Sequence, residues 1–230
     1  MFKMTIAAGL SLVAGLVGVA PAQASTFAVY NPIAGAANVS LSGLTLGVSA
    51  PVEFQYEIPA LLGLGVLSAN MTLSATETGA IAFGPIALAS FDGAFSINYA
   101  GPTKTVGSVT VTTGEVLLDG VFLGSVFNGY GSAGSLQDSI LAGGLVSFNN
   151  NALITVSPTD DQGLAFSLTS ITPTVTVVTG KLTDFGGVSQ GQFAATVTPT
   201  VPEPTSWALM LIGGGGVGFA ARRRRKMAAA

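Results

Sequence analysis

"IALASFDGAFSINY" (Ile86–Tyr99) and "EVLLDGVFLGSVF" (Glu115–Phe127) share one layout: an apolar β-prone run, an Asp-Gly pair, and a second such run. A two-residue Asp-Gly connection suits a type I′ hairpin turn, where glycine adopts positive φ without steric cost and aspartate tolerates it. Read so, Asp92-Gly93 and Asp119-Gly120 are turn tips and the strands on either side are short. Working outward, "VTVTT" (109–113), "TVTVVTG" (174–180) and "FAATVTP" (193–199) repeat the β-branched alternation, punctuated by Gly, Pro, Asn and Asp. The expectation is an all-β domain of roughly ten to fourteen short strands, folded as a β-sandwich or jelly-roll-like domain. A β-helix would need a fixed-period repeat, and there is none. Helix candidates are few: 57–71 is broken by glycines and reads as loop and strand, while "GSLQDSILAGGL" (134–145) suits a short helix capped by Ser135.

Charge and residue usage narrow the function. The chain has 230 residues with no Cys and no His. These two absences remove disulfides, thiolate sites, cysteine nucleophiles, the commonest general base and the commonest transition-metal ligand. Between residues 25 and 201 only Lys104 and Lys181 are basic, whereas every acidic residue except Glu203 lies there. Such an acidic, lysine-poor surface repels nucleic acid.

The interior offers weak candidates for chemistry. A glycosidase-like pair of acids would have to come from Glu53, Glu57, Glu77, Asp92, Glu115, Asp119, Asp138 and Asp184, and the Asp-Gly turns already account for two of them. Glu53 and Glu57 share strand parity, as a solvated strand face also would. Asp160 and Asp161 in "SPTDDQG" (157–163) fall short of the six to eight oxygens calcium takes, so a polar loop is the better reading. Tyr30, Tyr56, Tyr99 and Tyr130 are too scattered to define a sugar-stacking platform, and "FNGYGSAGS" (127–135) lacks phosphate-loop spacing. Hydroxyl-rich strands fit a flat carbohydrate- or ice-facing surface, and fit ordinary exposed positions better. The expectation is a non-enzymatic domain with no catalytic, cofactor or metal site. A carbohydrate-binding module is the first alternative, and a carboxylate-dependent carbohydrate-active enzyme the second.

The two termini are more informative. Residues 1–24 read as a signal peptide: Lys3, an apolar stretch from Ile6 to Ala20, and Ala22-Gln23-Ala24 as a small-x-small site with cleavage before Ser25. This predicts an N-terminal signal helix, export by the general secretion machinery, and a secreted β domain over 25–200. Near the other end, Pro202-Glu203-Pro204 precedes Trp207, an apolar run over 207–221 with four consecutive glycines, and the basic cluster Arg222, Arg223, Arg224, Arg225 and Lys226; 227–230 form a short tail. A helix over 207–221 is about 22 Å long, shorter than a hydrocarbon core of about 30 Å. That predicts a short C-terminal transmembrane helix serving as a weak or temporary anchor. Trp207 lies at the outer interface and the basic cluster stops the chain inside. Two prolines keep the triplet extended and short of amide donors, which suits a processing site.

Taken together, Pro202-Glu203-Pro204, the following Trp207-Ala208, the glycine-rich run and the arginines resemble the PEP-CTERM sorting signal over residues 201–226. The same region also goes by the name ice-binding protein C-terminal domain, which does not imply ice binding. The resemblance implies a Gram-negative envelope protein held in the inner membrane by its tail, then cleaved near the triplet by an exosortase. It also implies cell-surface or extracellular display and an association with exopolysaccharide and biofilm.

Overall fold

The computed structural model of the chain describes residues 24–33, 38–138, 144–158 and 161–200. The described part is almost entirely strand: β1 (Ser25–Pro32), β2 (Val39–Ser42), β3 (Thr45–Tyr56), β4 (Leu67–Phe83), β5 (Ile86–Tyr99), β6 (Lys104–Val106), β7 (Val109–Val111) and β8 (Val116–Tyr130). They continue as β9 (Ala133–Gln137), β10 (Leu145–Phe148), β11 (Ile154–Val156), β12 (Gly163–Thr172), β13 (Val177–Val178), β14 (Lys181–Leu182), β15 (Phe185–Ala195) and β16 (Val197–Pro199). One turn of 3-10 helix, Leu62–Leu64, interrupts them.

Eight strands close on themselves. Around the wall the order is β1, β15, β12, β9, β8, β5, β4, β3, and β3 pairs back to β1, every pair antiparallel. Each wall strand lies beside its neighbours in chain order, so this is an up-and-down barrel. The expected sandwich is corrected to a single closed sheet. Two positions in the wall are shared by broken strands. β2 continues the line of β1 between β3 and β15, and β10 continues that of β9 along β8.

The Asp-Gly pairs explain why closure was hidden. Neither is a hairpin tip: Asp92-Gly93 lies inside β5, and Asp119-Gly120 inside β8. Glycine stands at both places for lack of room. A Cβ on Gly93 would lie 2.5 Å from Ala75 Cβ, and one on Gly120 would lie 2.6 Å from the Ser147 carbonyl oxygen. The β5–β8 register shifts between Phe91 and Gly93, and the Asp92 Oδ1 accepts the Gly124 N–H (2.6 Å) at that bulge. Asp119 Oδ2 accepts a bond from Asn149 Nδ2 at 2.6 Å. Bulges bend and twist long strands, which is what curling a sheet into a barrel requires. The actual β4–β5 turn is Gly84-Pro85, with Gly84 at φ +57°.

Alternation decides which way each side chain points. On β4 the residues Leu67, Ala69, Met71, Leu73 and Ala75 are buried, while Ser68, Asn70, Thr72, Ser74 and Thr76 are exposed. Apolar inside and hydroxyl outside is the reverse of the outward apolar band of a barrel that crosses a membrane with its strands. Eight strands enclose a space that side chains just fill, and here rings fill it. Phe193 stacks on Phe95 at 5.0 Å and meets Phe148, Phe166 and Tyr30 at 5.9, 5.8 and 6.1 Å.

Because the chain runs up and down, its connections sort to two ends. The upper end has the Gly84 and Gly131 turns and the β13–β14 ribbon. The lower end has the 3-10 turn, the β6–β7 ribbon, the β11–β16 ribbon and both chain ends of the barrel, Ser25 and Thr200. The helix expected over 134–145 is corrected at its start, where Ala133–Gln137 is strand β9 wedged between β8 and β12. Residues 139–143 lie outside the described set. So do the predicted signal helix, Ala24 excepted, and the predicted transmembrane helix over 207–221. Among the described residues no helix is long and apolar enough to cross a membrane.

A strand-interior glycine with no room for a methyl group should not tolerate one. Gly93→Ala is expected to cost about 1–3 kcal/mol through overpacking, read as a lower urea midpoint at unchanged slope. A free turn tip at residue 93 would leave the midpoint in place.

Candidate functional site

The outer wall is hydroxylated along β4, and it is grooved over β1, β15, β12 and β9. Pairing sets the groove's rows. Val29, Gln192, Ala165 and Gln137 lie abreast on the four strands, and Gln190, Ser167 and Ser135 form the next row. Small residues make the floor: Ala165, Ser167 and Gly191. Gly191 admits no side chain, since a Cβ there would lie 2.3 Å from Tyr30 Cε1 and 2.5 Å from Phe166 Cδ1. The inner rings thus dictate the glycine, whose missing side chain would point inward, while Gln190 and Gln192 beside it point outward.

The groove has two connected parts. An upper part of about 370 Å³ is lined by Asn31, Ser135, Ser167, Gln190 and Gln192. A lower part of about 580 Å³ is lined by Thr26, Gln137, Asp138, Asp161, Gln162 and Gln192, and the two share Ala165 and Gln192. Gln162 is tied in place, its Oε1 accepting the Phe148 N–H (2.7 Å) and its Nε2 donating to the Ser157 carbonyl (3.1 Å). Five carboxamides with hydroxyls and two carboxylates give a lining that both donates and accepts. That chemistry suits a hydroxylated ligand held by many modest bonds.

The acids singled out by sequence occupy separate places. Glu53 and Glu57 are exposed at the lower part of β3 and just beyond it. Asp92 and Asp119 brace the strand irregularities described above, Glu115 Oε2 accepts the Thr112 N–H (2.8 Å), and Asp184 Oδ1 accepts the Gly43 N–H (2.8 Å) at the upper end. Asp138 and Asp161 meet in the lower groove, and Asp160 lies outside the described residues. Among the described residues no three acidic side chains gather as a metal-binding group. Of the tyrosines, Tyr30 and Tyr56 are core residues. Burial raises both hydroxyl pKa values, against an opposing bond to Ser189 for Tyr30 and to Asn151 for Tyr56. Tyr99 is buried too and donates to the Pro102 carbonyl (2.7 Å), whereas Tyr130 is exposed near the upper end.

Among the described residues Glu77 is the one buried acid, on the inward face of β4. Its carboxylate accepts the Leu182 N–H, both oxygens at 3.2 Å, and so pins the β13–β14 ribbon across the upper end. Burial pushes its pKa up, opposed by that bond and by the Lys181 charge. The groove amides escaped the sequence reading because they sit on strands far apart in the chain. The only local hint is the i, i+2 spacing of Gln190 and Gln192.

The class defined so far is a filled, closed eight-stranded barrel whose last strand runs directly into a tail. Residues 200–225 match the family model of the PEP-CTERM protein-sorting motif. The chain therefore carries a PEP-CTERM sorting signal, and the motif implies an exosortase as processing partner and a membrane-anchored precursor destined for export. The match takes in Pro202-Glu203-Pro204, Trp207 and Arg222–Arg225 and begins at Thr200, the residue that ends the barrel's pairing. No curated protein and no solved structure matches the chain.

An acid with a raised folded pKa stabilises the fold when protonated. In the window above the unfolded value of about 4.3 the native state holds more protons than the unfolded chain. The stabilisation is full below that value and is lost as pH rises through the folded pKa. Glu77→Gln keeps an acceptor for Leu182 without the charge. It is expected to flatten the fall of Tm between pH 4 and neutrality, measured by thermal melts across that range.

Proposed function

We propose that the protein is an exported, non-catalytic envelope protein, sorted through its tail and displayed at the cell surface or in the extracellular matrix, where its barrel holds exopolysaccharide. The observation that carries the sorting half is the abutment of the motif and the fold. Thr200 is bonded to the Leu153 carbonyl through its N–H (3.1 Å) and to Ala152 through its hydroxyl, and Pro202 follows two residues later. A cut at the triplet would release the barrel whole. The signal peptide over 1–24 with cleavage before Ser25, the anchor from Trp207, and the stop at Arg222–Lys226 are parts of the same reading.

The glycan half rests on the groove. Its carboxamides and hydroxyls match the donors and acceptors of a sugar chain, and its length along four strands suits an extended polymer. Support for a non-catalytic role is that Asp92, Glu115, Asp119 and Asp184 each have a structural bond to serve. A surface module of this kind needs no cofactor or metal. Its partners are the secretion machinery, the exosortase, the inner membrane in transit, and the polysaccharide.

Replacing Pro202, Glu203 and Pro204 together by alanine is expected to hold the protein at precursor size in the inner-membrane fraction. Release at the wild-type level would overturn the sorting reading. For the groove, Gln190→Ala with Gln192→Ala removes two exposed amides. At about 0.5–1.5 kcal/mol per bond the double variant should lose roughly tenfold or more in retention on the producer's own exopolysaccharide, with Tm unchanged. Equal retention would remove the glycan role from this face.

A further inference from the structure

Among the described residues, the lower end of the barrel carries exposed apolar side chains. Leu62 opens the 3-10 turn and Val66 follows it, 46% and 53% exposed, and Val106 at the tip of the β6–β7 ribbon is 36% exposed. They belong to one surface. Val106 lies against Gly63, where an added Cβ would meet its Cγ1 at 3.1 Å, and Lys104 Nζ donates to the Leu64 carbonyl, tying the ribbon to the turn. Beneath them Leu61, Leu64, Val109 and Val111 are buried, so the exposed three are presented by a packed base.

We propose that this lower rim seats on the outer surface of a lipid bilayer while the tail is attached. The proposal rests on the anchoring reading above and goes beyond it by naming the face of the barrel and what it touches. Chain length decides the face. Thr200 is bonded at the lower end, and Trp207 lies seven positions further along the chain, a reach of at most about 25 Å when fully extended. The 17-residue strand β4 makes the barrel roughly 40 Å tall after allowing for strand tilt. An anchor starting at Trp207 therefore brings the lower rim to the membrane and keeps the upper end off it.

The chemistry of the rim selects the kind of contact. Of the two lysines among the described residues, Lys104 is the one on this rim, and it is engaged with the Leu64 carbonyl. Glu115 holds the Thr112 N–H and hydroxyl. A rim whose described lysine is so engaged has little with which to grip anionic headgroups. Its contact is apolar loop tips entering the interfacial layer, and it needs zwitterionic lipid only. Another exposed apolar cluster, Ile81, Phe83, Ile86 and Tyr130, sits at the upper end and supplies an internal control.

The absence of cysteine makes the test clean. The full chain, purified and placed in phosphatidylcholine vesicles containing lipid with a shallow nitroxide, would carry an NBD label at one of three single-cysteine variants: Leu62→Cys, Val106→Cys or Phe83→Cys. The sole tryptophan, Trp207, reports tail insertion in every sample. Quenching of Trp207 and of the labels at 62 and 106 is expected, at least about twofold above that at 83. With Leu62→Ser, Val66→Ser and Val106→Ser combined, a label placed by Ser108→Cys in the same ribbon should lose most of its quenching while Trp207 keeps its own. Quenched Trp207 with unquenched labels at 62 and 106 would overturn the seating and leave the anchor standing. Unquenched Trp207 would overturn both.

Discussion

The ring cluster around Phe193 is the interaction on which the rest of the structure depends. Phe193 on β15 touches Tyr30 of β1, Phe95 of β5, Phe148 of β10 and Phe166 of β12, so one side chain joins strands from across the barrel. Burying a phenylalanine of this kind contributes about 1.5–3 kcal/mol, and edge-to-face geometry adds to it. The cluster also imposes the positions that must be bare. Gly191 lies against Tyr30 and Phe166, and Gly120 lies against Phe148 and Phe95. Those glycines are a consequence of the rings and not of the local backbone.

Strand alternation sets the outer surface. Gly191 faces the inner rings, while Gln190 and Gln192 on either side of it point outward, and their carboxamides line the groove. At the upper end the buried polar set Asn38, Ser189 and Tyr30 fixes the return of β2 to β15. Asn38 accepts the Ser189 N–H at 2.6 Å and donates to its carbonyl at 3.2 Å, while Tyr30 donates to the Ser189 hydroxyl at 3.0 Å. Satisfied polar groups of this kind specify register without leaving an unpaired group in the interior.

Much of the strand content was legible, because alternation such as that from Leu67 to Thr76 is a local signal. Closure was not. Asp92-Gly93 and Asp119-Gly120 satisfy the local rule for a hairpin, but contacts with Ala75 and Ser147, distant in sequence, set the reason for glycine at each. A local rule cannot distinguish a glycine that turns the chain from one that makes room for a neighbour. The groove was hidden for a related reason, since Asn31, Ser135 and Gln190 come together only once the barrel closes. Glu77 was one candidate acid among eight in the sequence, and its role needs the β13–β14 ribbon folded over it. The tail was legible throughout, because a sorting signal is read as a linear segment and its information is local.

The division between legible tail and cryptic barrel follows from how each part works. The core is complete by Ala195, and beyond it β16 adds only a short ladder to β11 with Val197 and Pro199 half-buried. The motif match starts at Thr200, where that ladder ends. Among the described residues the core is therefore complete before the motif begins, and the motif is legible as a linear segment without the fold. A barrel whose two ends leave from one rim, with its groove on the side wall, presents the same surface before and after the tail is cut. Placing the termini and the groove on different faces lets one domain be first tethered and then released without rearrangement.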